Sequence, residues 1–132
     1  MNTGKMKHYE TERVIMKSTE DYLEAILVLR EEHGTCRAVD IARYLGFSRP
    51  SVSNALNKME TDGLISKNES GDIRLTRSGA AIARKTYEKH SFFRNLFIRA
   101  GVKPSQAEED ACIIEHGISD ETWRKLRKYL ES

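Results

Sequence analysis

The sequence predicts a mainly α fold: a winged helix-turn-helix with a small β-hairpin wing, followed by a second, helical domain. Three observations carry that reading. The stretch Val39 to Lys58 places a short apolar-faced helix, Gly46, and a Ser48-capped second helix in immediate succession. At Asp62-Gly63 the texture then changes to two short β-like runs around a polar turn. From Thr76 onward the apolar residues recur at helical spacing, interrupted at Pro104 and Gly117.

Taken in order, residues 1–17 mix Lys5, Lys7, Arg13 and Lys17 with Glu10 and Glu12 without a sustained stripe, which reads as a partly helical N-terminal arm. A helix is expected from Ser18, with Ser18 as cap and Asp21 three residues on as in a capping box. It carries Tyr22, Ala25, Ile26 and Leu29 on one face and ends near His33-Gly34. The next helix, about Ala38 to Leu45, buries Ile41, Ala42 and Leu45, and Gly46 permits the reversal. In the helix after Ser48, Val52, Leu56 and Met59 face the core while Arg49, Ser51, Asn54 and Lys58 lie on or beside the opposite face. Such donors suit a DNA groove. Leu64 to Lys67 and Ile73 to Leu75 form the hairpin around Asn68 to Asp72, with Lys67 and Arg74 placed to touch phosphates.

Thr76 opens a long helix to about Ala100, in which Phe92, Phe93, Leu96, Phe97 and Ile98 crowd together. Pro104 starts another, running to about His116, and Ser119 caps a last helix with a Trp123, Leu126, Leu130 stripe and water-facing Arg124, Lys125, Arg127 and Lys128. The expected divisions are an arm over 1–17, a DNA-binding domain over 18–78 and a helical domain over 79–132. The apolar load of the last exceeds what one small lobe hides, which points to a homodimer.

Composition limits the function classes. A net charge of +2 on 32% charged residues excludes a strongly basic coat, so nucleic-acid binding has to come from local placement of Lys and Arg. No apolar run approaches the roughly 18 residues of a membrane span, and the N-terminus has no signal-peptide core, so a cytoplasmic protein is expected. With no export signal, the two distant cysteines, Cys36 and Cys112, argue against a structural disulfide.

Cys112, Glu115 and His116 stand at i, i+3 and i+4 of one helix, so thiolate, carboxylate and imidazole share a face and suit a divalent transition metal. The bland alternative is a buried Cys beside a surface Glu-His pair. Asp21 and Glu24 share a face of the first helix, either as ligands or as a solvated acidic edge, and His90 sits midway along the long helix.

From Ser18 to about Leu130 the chain resembles the DtxR/MntR family of metal-dependent transcriptional repressors. The resemblance rests on Thr19-Glu20-Asp21-Tyr22-Leu23, on Ser48 to Ser53 followed by Met59-Glu60 and Asp62-Gly63-Leu64, on Leu75-Thr76-Arg77-Ser78-Gly79, and on Glu115-His116. It implies a helix-turn-helix lobe joined to a dimerisation lobe with metals between them, and a two-domain form without the C-terminal SH3-like domain of the iron-sensing branch. It implies Asp21, Glu24, His90, Cys112, Glu115 and His116 as ligands. Cys112 departs from the manganese-sensing branch, Asp21 departs from the iron-sensing branch, and Arg94 stands where relatives have a carboxylate, which leaves the usual second site in question.

For DNA, the helix face and the resemblance together place Pro50, Ser51 and Asn54 at base edges and Arg37, Arg49, Lys58, Lys67 and Arg74 on phosphates, with Ser48 and Ser53 completing the recognition motif. The expected function is a non-enzymatic regulator, a repressor of metal homeostasis genes that responds to Mn²⁺ or Fe²⁺ and binds operator DNA as a dimer. Metal would fix the separation of the two recognition helices near one DNA turn, about 34 Å, or a multiple of it. No small organic substrate is expected. Two alternatives are a winged-helix regulator sensing oxidants or small molecules through Cys36 or Cys112, and a metallohydrolase; the latter finds no H-E-x-x-H and no spare base near the ligands.

Overall fold

The computed structural model describes the backbone of residues 3–131 and the side chains of residues 17–131. Helix α1 (Thr3–His33) turns Tyr22, Ala25, Ile26 and Leu29 inward, joined by Leu23. Ser18 does not open this helix. The backbone is already helical from Thr3, so Ser18 and Asp21 are interior positions rather than cap and capping-box partner. Once nucleated, a helix runs through such residues because each adds one more backbone hydrogen bond. Of the arm expected over 1–17, residues 1 and 2 and the side chains of 3–16 lie outside the described residues.

Helix α2 (Ala38–Leu45) begins where the Arg37 N–H donates to the Asp40 carboxylate at 3.0 Å, and it buries Ile41 and Ala42. It ends on Gly46 in the left-handed region, φ +71°, with the glycine N–H donating to the Ala42 carbonyl. Helix α3 (Arg49–Thr61) is capped by Ser48, whose Oγ accepts from the Ser51 N–H at 3.3 Å, and Pro50 sits in the first turn where its missing N–H costs nothing. Val52, Leu56 and Met59 are buried, as the periodicity predicts.

Strands β1 (Ile65–Lys67) and β2 (Ile73–Leu75) pair antiparallel, Ile65 opposite Leu75 and Lys67 opposite Ile73. Ile65 and Ile73 point into the core formed with α1, α2 and α3. Asp72, at the end of the turn between the strands, also anchors the wing. It is 7% exposed, and its Oδ1 accepts from the Cys36 N–H at 3.0 Å and from the Arg30 guanidinium at 2.8 Å. The Ile73 N–H donates to the Cys36 carbonyl at 2.7 Å, so the wing is stitched to the loop between α1 and α2. The Cys36 N–H, and then Arg30, hold the Asp72 carboxyl below its ordinary range.

Thr76 caps helix α4 (Arg77–Arg99): its Oγ1 accepts from the Gly79 N–H at 3.2 Å and donates to the Gly63 carbonyl at 2.6 Å. Gly79 lets this helix pass the chain leaving α3, since a Cβ there would overlap the Leu64 carbonyl oxygen.

The chain divides into two compact units, Met1–Lys85 and Thr86–Ser132, so the division falls inside α4. The second unit contains the rest of α4 with α5 (Pro104–Gly117) and α6 (Asp120–Glu131). Its core is Phe93, Ala111 and Trp123, against which Phe92, Leu96, Phe97, Ile114, Ile118 and Leu126 pack. Ile98, five residues and about 140° around α4 from Phe93, leaves that crowd and is exposed. Leu130 is also exposed, while Arg127 lays its guanidinium over the Trp123 ring at 5.4 Å and pairs with Glu88 at 3.4 Å. Among the described residues no helix is long and apolar enough to cross a membrane.

Candidate metal centre and nucleic-acid interface

Helix α5 starts on Pro104, and that register puts Glu108, Cys112 and Glu115 at i, i+4 and i+7 on one face, with His116 beside them. Helix α4 contributes His90 and, one turn later, Arg94. The centre of the group is Glu115, a carboxylate that is only 2% exposed and lies between two imidazoles. His90 Nδ1 is 2.8 Å from Glu115 Oε2, and His116 Nε2 is 3.1 Å from Glu115 Oε1. Donor atoms of Cys112, Glu115 and His116 lie within 4.8 Å of one another.

A buried carboxylate needs countercharge, because desolvation of an ion costs several kcal/mol by itself. His90 supplies it here. The close approach of Glu115 is the main reason its pKa rises to about 9, against the lowering effect of burial and with the help of Glu108. The remaining ring nitrogen of His90, Nε2, meets Glu108 Oε1 at 2.6 Å, and Arg94 approaches the other oxygen of Glu108 at 3.8 Å. Cys112, Glu115 and His116 converge, and His90 meets the other oxygen of Glu115; a thiol, a buried carboxylate and imidazoles mostly withdrawn from water fit divalent first-row transition ions. An ion held by these residues would supply the countercharge of Glu115 in place of the imidazolium proton.

Of the six expected ligands, four lie in the second unit: Cys112, Glu115 and His116 cluster together, and His90 contacts Glu115. Asp21 and Glu24 belong to the first unit, one turn apart on α1, both partly buried. Glu108 is a functional candidate that the sequence does not single out. Its spacing of four and seven residues from Cys112 and Glu115 is visible in the chain, but its partner, His90, stands 18 residues earlier on another helix.

The expected DNA-facing residues all lie in the first unit. Arg37, Ser48, Arg49, Pro50, Ser51, Ser53, Asn54, Lys58, Lys67 and Arg74 are exposed. Arg37, Arg49, Ser53 and Lys67 line a cleft of about 400 Å³ between the start of α2, α3 and the wing, so three cations converge on one hollow. Three of the residues have further engagements. The Ser48 hydroxyl caps α3 and donates to Ser51 Oγ at 2.8 Å, and Arg74 is 3.5 Å from Asp72. The Cys36 thiol is fully buried in the same unit, and burial pushes its pKa up to about 12, away from the thiolate form that oxidants attack.

Residues 14–71 match the family pattern described as the N-terminal DNA binding domain of the iron dependent repressor, and residues 76–132 match that of its metal binding and dimerisation domain. The chain is 36% identical over 112 residues to the transcriptional regulator MntR of Escherichia coli O6:H1, covering 85% of this chain and 72% of that protein. It is 33% identical over 118 residues to the diphtheria toxin repressor of Corynebacterium diphtheriae, covering 89% of this chain and 52% of the relative. Among solved structures, IdeR of T. acidophilum superposes with a TM-score of 0.74 at 32% identity, covering 86% of this chain and 54% of the other. The chain therefore spans about half the length of that structure and of the manganese regulator SloR, which it also matches.

Proposed function

The chain belongs to the iron-dependent repressor family, which consists of transcriptional regulators and not of enzymes, and on that premise we propose that it represses transcription in response to Mn²⁺ or Fe²⁺. It acts in the cytoplasm, as a homodimer, on double-stranded operator DNA. The observation that carries this reading is Glu115, buried between His90 and His116 with Cys112 alongside. A carboxylate so deeply buried, ringed by side chains that are all good ligands, is the arrangement a divalent cation would use.

Asp21 and Glu24 complete the ligand set in this proposal. A bound divalent ion supplies the positive charge that lets several carboxylates share one buried place. The chain's own residues turn this into control. Asp21 and Glu24 flank Tyr22 and Leu23, and Glu24 lies within two residues of Ile26; Tyr22, Leu23 and Ile26 are core residues of the DNA-binding unit packed together with Ile41, Val52 and Leu56 of the helix-turn-helix. Holding the two carboxylates therefore holds α1, and with it α2 and α3. Pro50, Ser51 and Asn54 then meet base edges, while Arg37, Arg49, Lys58, Lys67 and Arg74 hold phosphates. Ser48 and Ser53 complete that surface. In the second unit Tyr87, Ile98, Tyr129 and Leu130 are exposed apolar residues suited to the dimer interface.

The buried Cys36 gives an oxidant-sensing reading no support, and Cys112 is accounted for beside Glu115 and His116. The test is binding of the protein to its own promoter fragment under anaerobic conditions, with and without Mn²⁺ or Fe²⁺. Binding is expected only with metal in the wild type and with neither ion in Glu115→Ala. Equal binding without metal would overturn the proposal.

A further inference from the structure

The ligand set leaves Glu108 unused, yet it makes the shortest polar contact of His90. Glu108 Oε1 lies 2.6 Å from His90 Nε2, and Nδ1 on the far side of the ring lies 2.8 Å from Glu115 Oε2. The two ring nitrogens thus have different neighbours: a half-exposed carboxylate at Nε2 and the buried donor cluster at Nδ1. Arg94, one turn after His90 on α4, is 3.8 Å from the second oxygen of Glu108 and supplies a tethered positive charge there.

We propose that Glu108 is a positioning residue, which accepts a hydrogen bond from His90 Nε2–H and thereby presents Nδ1 as the metal-binding nitrogen, with Arg94 holding Glu108 in place. A neutral imidazole carries one N–H and one lone pair, and the partner of the N–H decides which nitrogen is left to ligate. A carboxylate at Nε2 also increases the basicity of Nδ1, as outer carboxylates do at other histidine-bound metal centres. The guanidinium of Arg94 gives Glu108 the countercharge that a second ion would otherwise provide. Glu108 is then a carboxylate next to a metal centre without being a ligand.

This inference rests on the proposed metal centre, and the experiment separates the two. Zn²⁺ is diamagnetic and serves as the probe: nitrogen-15 labelled full-length protein is loaded with Zn²⁺, and the His90 ring is read by long-range proton-nitrogen correlation. The expected spectrum shows Nε2 protonated and Nδ1 coordinated. Mn²⁺ affinity should fall on the order of tenfold in Glu108→Ala, in the range found for outer-shell partners, and recover in part in Glu108→Gln, whose amide oxygen still accepts the bond. Arg94→Ala should move affinity the same way by less. The proposal is overturned by coordination through Nε2, by unchanged affinity in Glu108→Ala, or by two ions per subunit of which Glu108→Ala loses one, since Glu108 would then be a ligand. If His90→Ala and Glu115→Ala also leave the Zn²⁺ and Mn²⁺ affinities unchanged, the metal centre itself fails, and the positioning role with it.

Discussion

The two units of this chain bury polar groups in opposite ways. In the first, Asp72 is buried and satisfied: it accepts from the Cys36 N–H and the Arg30 guanidinium and ties the wing to the α1–α2 loop with groups the chain supplies. In the second, Glu115 is more deeply buried, and its neighbours are two imidazoles and a thiol-bearing residue, all of them good metal ligands. The apolar cores differ in the same sense. Among the described residues thirteen form the buried cluster of the first unit, against Phe93, Ala111 and Trp123 in the second. A large core with internally matched charges is stable as it stands, whereas a small core around an ionisable cluster is a region whose order an ion can set. On the proposed function, the DNA-reading unit would be a largely finished part and the second unit the one that an ion completes.

The largest effect on this contrast is expected from Gly79→Ala. The added methyl group would overlap the Leu64 carbonyl oxygen, with backbone on both sides, so the first unit should lose on the order of 3 to 5 kcal/mol. Thermal unfolding with and without Mn²⁺ checks it. If added metal restores the wild-type midpoint, the first unit is not the self-sufficient part described.

Next in size is recognition. Asn54→Ala should relax sequence preference at a cost on the order of 1 to 3 kcal/mol if Asn54 reads adenine bidentately. Lys58→Ala should weaken all sequences alike and flatten the salt dependence. Both readouts come from binding isotherms on the promoter fragment and a scrambled duplex at several salt concentrations. Neither variant should alter metal affinity, and a change there would break the division of labour.

A smaller effect is expected from the metal-selecting thiol. Cys112→Ala should raise the activating concentration of every ion on the order of tenfold, about 1.4 kcal/mol, and Cys112→Glu should narrow the response toward Mn²⁺, because a thiolate favours softer and later ions and a carboxylate does not. Anaerobic titration of DNA binding with Mn²⁺, Fe²⁺ and Co²⁺ reads both. Wild-type midpoints in Cys112→Ala would remove the thiol from the centre.

The smallest effects are opposite in pH. His90 is raised from 6.5 to about 9, so in metal-free protein its contribution to the second unit is fully present below about pH 6.5 and is lost as pH rises through about 9. Asp72 is lowered from 3.8, so its contribution to the first unit is present above that value and is lost as pH falls through its depressed pKa. Denaturant unfolding of the metal-free protein followed at Trp123, in the second unit, should therefore weaken toward alkaline pH. Asp72→Asn should remove part of the acid sensitivity of the first unit.

Most of the first unit is legible in the sequence because its signals are local. Gly46, Ser48, Pro50 and the Val52, Leu56, Met59 stripe each act within a turn or two of helix, and the structure places α2, α3 and both strands where those residues put them. Ser18 misleads because a good cap residue inside a longer helix looks the same as one at its start. Asp72 has the look of a turn residue and is also a buried acceptor for Arg30, 42 residues away. Glu108 is hidden for the same reason: its partner lies on another helix, and pairing across elements leaves no period in the sequence. The four donors in the second unit are read from helical spacing and resemblance together, since spacing alone aligns Cys112, Glu115 and His116 but says nothing of His90.

Whether the sensing unit is completed by its ion while the DNA-reading unit stands ready is settled by hydrogen exchange of the full chain, compared with and without Mn²⁺. Amides of α5, of the second half of α4, and of α1 around Asp21 and Glu24 are expected to gain protection when the ion binds, while α3 and the wing are already protected without it. Equal gains across both units, or protection of α3 and the wing that depends on metal, would contradict that division.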